Sequence, residues 1–155
     1  MRTLLLIALS GMLQAQSLTP QETVMAKAID QEAEQAIALL EKVVNINSGT
    51  FNPEGVKKVA TIFESEFKAL GFTTRYISMD SVKRAPHLVA ERTGTRGKNI
   101  LLIGHMDTVF EPSSPFQKFE RKGTTAVGPG VSDMKGGVIV KIGRASCRER
   151  VYSSV

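Results

Sequence analysis

The chain has 155 residues, of which 42% are apolar and 23% charged, and its formal net charge is +5. This composition is typical of globular proteins and excludes a disordered or membrane-embedded chain, and the length accommodates one core rather than two domains. The charge does not indicate nucleic-acid binding, because segment 16–141 carries only +2 of it and has no Lys/Arg-rich stripe with interleaved aromatic residues.

Segment 1–15 has the pattern of a signal peptide. Arg2 supplies a positive start, an apolar stretch runs from Leu4 to Leu13, and Ala15 is a small residue suited to cleavage. The apolar stretch is too short to span a bilayer. A buried first helix is the alternative interpretation. We therefore expect a periplasmic or secreted protein with no membrane contact after cleavage.

Two amphipathic helices are predicted next. The first begins with Thr19-Pro20-Gln21-Glu22, which has the form of a capping box with Pro at the first helical position. The second begins in the same way at Asn52-Pro53 and ends at Gly71. Apolar residues at three- and four-residue spacing mark their buried faces. These are Ile37, Leu40 and Val44 in the first helix, and Val56, Val59, Ala60, Phe63, Phe67 and Leu70 in the second.

Three strands are predicted after the helices, at 72–79, 86–93 and 98–104, with a turn at 94–97 before the third. The third strand contains Ile100-Leu101-Leu102-Ile103, a continuous apolar run. Such a run is typical of a central strand that is covered on both faces of an α/β sheet. A hairpin at 119–127 and a helix from Met134 complete the predicted elements.

Polar residues follow two of these apolar stretches. His105 and Asp107 come directly after the third strand, and Asp133 follows a loop that contains Gly128 and Gly130. Ligands of open α/β sheets bind beyond the carboxyl ends of strands. A metal-binding histidine needs an acceptor on its second ring nitrogen, and Asp107 is two residues away on the same side of an extended chain. A carboxylate such as Asp133 has two oxygens and could bridge two cations.

Each of these residues also has a structural interpretation. His105 could be an ordinary polar residue at a strand end, Asp107 a turn acceptor, and Asp133 the N-cap of the following helix. His87 has no companion group and is interpreted as structural. The Gly128-x-Gly130 turn does not match a phosphate-binding loop, because Gly follows Lys135 where the Walker pattern has Ser or Thr.

Segment 142–155 differs from the rest of the chain. Its first letters, IGRASCRERV, resemble a translated sequencing-adapter oligonucleotide, and Gly143 and three arginines interrupt an apolar helix-like run. We interpret this segment as a foreign tail. It contains Cys147, the one cysteine in the sequence, so segment 16–141 can form no disulfide, cysteine-ligated zinc site or thiol nucleophile.

Two stretches together resemble the paired signatures of a zinc-dependent hydrolase family. They are LLIGHMDTV at 101–109 and GPGVSDMKGG at 128–137. The family includes glutamate carboxypeptidase, acetylornithine deacetylase and succinyl-diaminopimelate desuccinylase, and the chain is most similar to its glutamate carboxypeptidases. The similarity extends back to about Glu32, so it covers most of segment 16–141.

This resemblance implies a role for each of the three polar residues. His105 would bind one zinc ion, Asp107 would be the catalytic-site residue that holds the His105 ring, and Asp133 would bridge two zinc ions. It also implies a cis peptide bond between Asp133 and Met134. In the family the general base, the other metal ligands and a dimerisation domain lie at positions beyond those present here.

The resemblance further implies an α/β fold, in which segment 16–141 is the truncated N-terminal part of a di-zinc exopeptidase catalytic domain with helices packed on a mixed sheet. The parent enzyme would cleave an amide bond next to a free carboxylate in a peptide or N-acyl amino acid, and could form a homodimer through the missing domain. We expect the fragment itself to be inactive. An N-acyl-amino-acid deacylase of the same family and a non-catalytic binding protein are the alternatives.

Overall fold

A computed structural model of the protein describes residues 17–94 and 98–153. The predicted signal peptide at 1–15 and most of the predicted turn at 94–97 lie outside the described residues. In chain order the elements are helix α1 (Pro20–Val44), helix α2 (Pro53–Ala69), strands β1 (Thr73–Ile77), β2 (His87–Glu91), β3 (Glu120–Lys122) and β4 (Thr125–Val127), and helix α3 (Gly136–Ser153). A short 3-10 helix at Asp80–Val82 and a π-helical turn at Val131–Lys135 lie between them.

Both predicted helix starts are confirmed. The Thr19 side chain accepts a hydrogen bond from the Glu22 backbone N–H while the Glu22 carboxylate accepts one from the Thr19 N–H, which forms the predicted capping box. Asn52 caps α2 by accepting from the Gly55 N–H. Gly71, at φ +75°, follows the end of α2 in the left-handed conformation that favours glycine.

The core lies between the three helices of the described chain. Its buried members come from all three, and the predicted apolar face of α2 is part of it. These residues are Val43, Val59, Phe63, Val138, Ile139 and Ile142. Ile142, the first residue of the predicted foreign tail, is thus buried inside α3 rather than at the start of an exposed segment. The foreign origin of 142–155 stays a prediction.

The sheets are smaller than predicted. In the described part of the chain, β1 pairs antiparallel with β2, from Thr73 opposite Glu91 to Ile77 opposite His87. The predicted hairpin is confirmed as the β3–β4 pair, which turns through Gly123 at φ +60°. The two pairs form separate two-stranded sheets, so the predicted mixed sheet is not present among these residues.

The prediction of a buried central strand at 98–104 is wrong for the described structure. This stretch does not form a strand, and its four apolar side chains are more than half exposed. The exposed fractions are 74% for Ile100, 83% for Leu101, 56% for Leu102 and 77% for Ile103. The physical reason is that an apolar run indicates only that these side chains favour burial. A strand also needs the backbone of a second strand with which to form hydrogen bonds. Of the helices in the described ranges, none is both long and apolar enough to cross a membrane.

Candidate metal centre

The residues at the centre of the site are His105 and Asp133, which are 28 positions apart in sequence. The π-helical turn before α3 brings them together, and the His105 Nε2 atom lies 2.9 Å from Asp133 Oδ1. The Asp133 side chain is 87% exposed and that of His105 is 45% exposed, so both are open to a ligand from solution. The two side chains to which the family resemblance gives zinc-binding roles therefore lie in contact.

Asp107 lies on the other side of the His105 ring. The His105 Nδ1 atom is 3.1 Å from the Asp107 backbone oxygen and 3.3 Å from its carboxylate oxygen Oδ1. Burial lowers the pKa of His105, but the hydrogen bonds to Asp133 and to the Asp107 carbonyl, together with both negative charges, outweigh it and raise the pKa above its ordinary value. The ring is thus held through both nitrogens by the residues that sequence analysis selected.

The segment 106–108 is held in place by a loop at the end of α1. This loop comprises residues 47–50 and is named the 47–50 loop. The Thr108 N–H donates to the Ser48 carbonyl at 2.9 Å, and the Thr50 N–H donates to the Thr108 carbonyl at 3.0 Å, so the two stretches run side by side in a parallel bridge. The buried Ser48 hydroxyl donates to the Met106 carbonyl at 2.9 Å. Asp107 and its two neighbours are therefore fixed by backbone and side-chain contacts with residues that lie 57 to 60 positions away in sequence.

The turn that carries Asp133 depends on Gly130 and Lys135. Gly130 has φ +80°, and a Cβ atom there would lie 3.0 Å from the Thr108 side chain, so a glycine meets both the backbone and the space requirement. Lys135 is fully buried and donates from Nζ to the carbonyls of Val43 at 2.8 Å and Ile46 at 3.1 Å. Burial lowers the pKa of Lys135 to about 8. This lysine ties the Asp133 turn to the carboxyl end of α1.

A cavity of about 380 Å³ opens over these groups. His105, Asp107 and Asp133 contribute its polar side, and Phe110 and Phe116 contribute part of an apolar wall. The two aromatic rings contact each other edge to face, with centroids 4.9 Å apart. A polar end beside an apolar wall is the usual composition of a small-molecule site.

The donor atoms suit zinc, which binds imidazole nitrogen and carboxylate oxygen. His105 Nε2 and the Asp133 carboxylate could hold such an ion between them, with Asp107 behind the ring. Within the described ranges, however, no cluster of three or more His, Cys, Asp or Glu side chains has the arrangement of a metal site. A catalytic zinc normally has three protein ligands, so these residues amount to part of a site.

Three residues of this site are predictable from the sequence, and three others are not. His87 lies exposed on β2 and is not among the residues lining the cavity, which agrees with its structural interpretation. The three others are Ser48, Thr50 and Lys135, because nothing in the sequence links the 47–50 loop to segment 106–108 or Lys135 to the carboxyl end of α1. The Asp133–Met134 peptide bond is cis, as the family resemblance implied, and Asp133 has a non-helical backbone.

No family model matches the chain. The chain is similar to Carboxypeptidase G2 of Pseudomonas sp. (strain RS-16), with 36% identity over 121 residues. The matched residues are 76% of this chain but 28% of that protein, so the chain spans little more than a quarter of the length of its curated relative. The similarity covers most of the chain and supports the sequence-based resemblance to glutamate carboxypeptidases.

Proposed function

We propose that this chain, which is related in sequence to a carboxypeptidase, supplies part of the zinc site of a hydrolase that removes a C-terminal amino acid by cleaving the amide bond next to its free carboxylate. The observation that carries the proposal is that the His105 ring has contacts at both nitrogens, with Asp133 at Nε2 and Asp107 at Nδ1. An imidazole whose second nitrogen is held by an acceptor, facing a carboxylate, is the arrangement expected of a metal ligand with its supporting group.

In this proposal each residue has a separate task. His105 and Asp133 would hold the metal, and Asp107 would fix the orientation of the His105 ring. Asp133 would be the bridge between two zinc ions, because a carboxylate has two oxygens and this side chain is 87% exposed. When bound, zinc polarises the substrate carbonyl and makes water a stronger nucleophile at neutral pH. The apolar wall of the cavity would contact the substrate beside the cleaved bond.

The substrate class in the proposal is a peptide or an N-acyl amino acid, with glutamate as a released product. In this proposal the parent protein acts outside the cytoplasm and forms a homodimer. These statements rest on the family resemblance of the two motifs and on the signal-peptide pattern of 1–15.

Zinc binding by the chain tests the proposal directly. We expect His105→Ala to weaken Zn²⁺ binding by at least about tenfold, because imidazole is the strongest donor in the described site. Affinity can be measured by competition with a chromophoric chelator. The matched control is His87→Ala, which removes an exposed histidine outside the cavity and should keep the wild-type affinity. Equal losses in both variants, or none in either, would contradict the assignment of His105.

We expect the chain on its own to release no glutamate from an N-acyl glutamate in the presence of Zn²⁺. His105 and Asp133 alone leave zinc with fewer protein ligands than a catalytic site needs, and the resemblance puts the general base outside this chain. An amino-acid release assay with and without a chelator measures this. Chelator-sensitive release by the purified chain would refute the expectation and show that 155 residues suffice for catalysis.

A further inference from the structure

Thr50 connects the 47–50 loop to the centre of the candidate site. Its hydroxyl donates to the Asp107 carboxylate oxygen Oδ2 at 2.6 Å. The other oxygen of the same carboxylate, Oδ1, is the one that lies 3.3 Å from His105 Nδ1. The Asp107 carboxylate therefore accepts a hydrogen bond from the Thr50 hydroxyl at Oδ2, while its Oδ1 lies at ion-pair distance from the His105 ring, whose Nδ1 atom also contacts the Asp107 backbone oxygen at 3.1 Å.

We propose that Thr50 is a positioning residue, which orients the Asp107 carboxylate and through it the metal-binding ring of His105. The inference rests on the proposed function, because it concerns the same site. Thr50 acts at one remove from the metal: it contacts Asp107, and Asp107 contacts the ligand. Hydrogen bonds to an ionised carboxylate are short and strong, which fits the 2.6 Å distance.

The surroundings of Thr50 support this role. Its backbone N–H donates a hydrogen bond to the Thr108 carbonyl, which keeps Thr50 next to segment 106–108. The Asp107 side chain is 33% exposed, so without the Thr50 hydroxyl its Oδ2 would face water, and the carboxylate would gain rotamers that leave Nδ1. Replacing a residue that orients a metal ligand without binding the metal typically weakens metal affinity by about 10–100-fold.

A merely structural role is the competing explanation, because the Thr50 hydroxyl also lies 3.2 Å from the Thr108 carbonyl oxygen. The two explanations differ in whether Asp107 is needed. If Thr50 acts through Asp107, its loss has no further effect once the carboxylate is absent. If Thr50 only stabilises the loop, its loss has the same effect with or without Asp107.

The experiment compares Thr50→Val, which keeps the shape of the side chain but cannot donate, with Thr50→Ser, which keeps the hydroxyl. We expect Thr50→Val to weaken Zn²⁺ binding by the full chain about tenfold and Thr50→Ser to change it less than about twofold. In an Asp107→Ala background we expect Thr50→Val to cause no further loss. An equal tenfold loss in that background would overturn the proposal in favour of a structural role.

A second measurement does not depend on zinc. Side-chain three-bond couplings report the χ1 rotamers of Asp107 by NMR, in the metal-free chain. We expect one rotamer in the wild type and in Thr50→Ser, and averaging over several in Thr50→Val. A single rotamer in Thr50→Val would overturn the proposal. If wild-type zinc binding proved independent of His105, the proposed function would fail, whereas the rotamers of Asp107 would still decide the role of Thr50.

Discussion

Replacing Asp133 by Asn is expected to lower kcat/KM by about 10³-fold in a chimera that carries residues 20–141 in place of the corresponding stretch of carboxypeptidase G2. The chimera places the candidate ligands of this chain in a complete carboxypeptidase, so that their effect on activity can be measured. An amide keeps the size of the carboxylate but removes its charge and one of its two acceptor oxygens. A loss of 10³-fold corresponds to about 4 kcal/mol of transition-state stabilisation.

Asp80→Asn is the matched control for this variant. Asp80 is exposed in the 3-10 helix between β1 and β2, on an element that does not line the cavity, and it undergoes the same chemical change. We expect it to retain the activity of the unmodified chimera in an assay for release of a C-terminal amino acid. The assignment of Asp133 fails if both variants retain activity, and a chimera that folds and binds zinc but never cleaves would favour a binding protein.

Replacing Lys135 by Ala is expected to lower the free energy of unfolding by about 3–5 kcal/mol. The change empties the space of a fully buried side chain and leaves the carbonyls of Val43 and Ile46 without their donor. Lys135→Met keeps the apolar stem and removes the ammonium group alone, so a smaller loss of about 1–3 kcal/mol is expected. Urea unfolding of the three proteins at pH 7 measures both losses.

The same comparison at higher pH has a predicted sign. Burial lowers the pKa of Lys135 to about 8, whereas the unfolded chain keeps an ordinary value of about 10.4. Between these values the unfolded state binds more protons than the folded state, so the contribution of Lys135 to stability rises with pH. The stability gap between wild type and Lys135→Met should therefore widen from pH 7 to pH 10. A gap that narrows would show that the lysine is held in its charged form.

The helices were predictable because their signals are local. Thr19 and Glu22 cap α1 from within one turn, and Asn52 caps α2 in the same way, so a short stretch of sequence contains the whole interaction. The segment 98–104 was not predictable by the same means. Its apolar residues are those of a buried strand, but strand formation depends on a partner strand elsewhere in the chain. Among the described residues, no strand pairs with this segment.

The residues of the candidate site also fall into two groups, those that a local sequence motif marks and those that it does not. His105, Asp107 and Asp133 lie in two short motifs whose residue types have a recognisable chemistry, and the structure brings all three together. Thr50 and Lys135 act through partners that are 57 and 89 to 92 positions distant. A single threonine in a polar loop, or a lysine after an aspartate, has no local pattern that marks such a partner.

These separations also bear on the order in which the molecule is assembled. The hydrogen bonds that define the site close loops of 28, 57 and 92 positions, whereas the caps of α1 and α2 close loops of three. Closing a long loop costs more chain entropy than closing a short one, so contacts between distant residues form after the local helices. By this ordering, the candidate ligands His105 and Asp133 are expected to meet after the local helices form, and the Lys135 contact, which spans 92 positions, is expected to close last. Metal capture by this chain would then follow folding rather than guide its first steps.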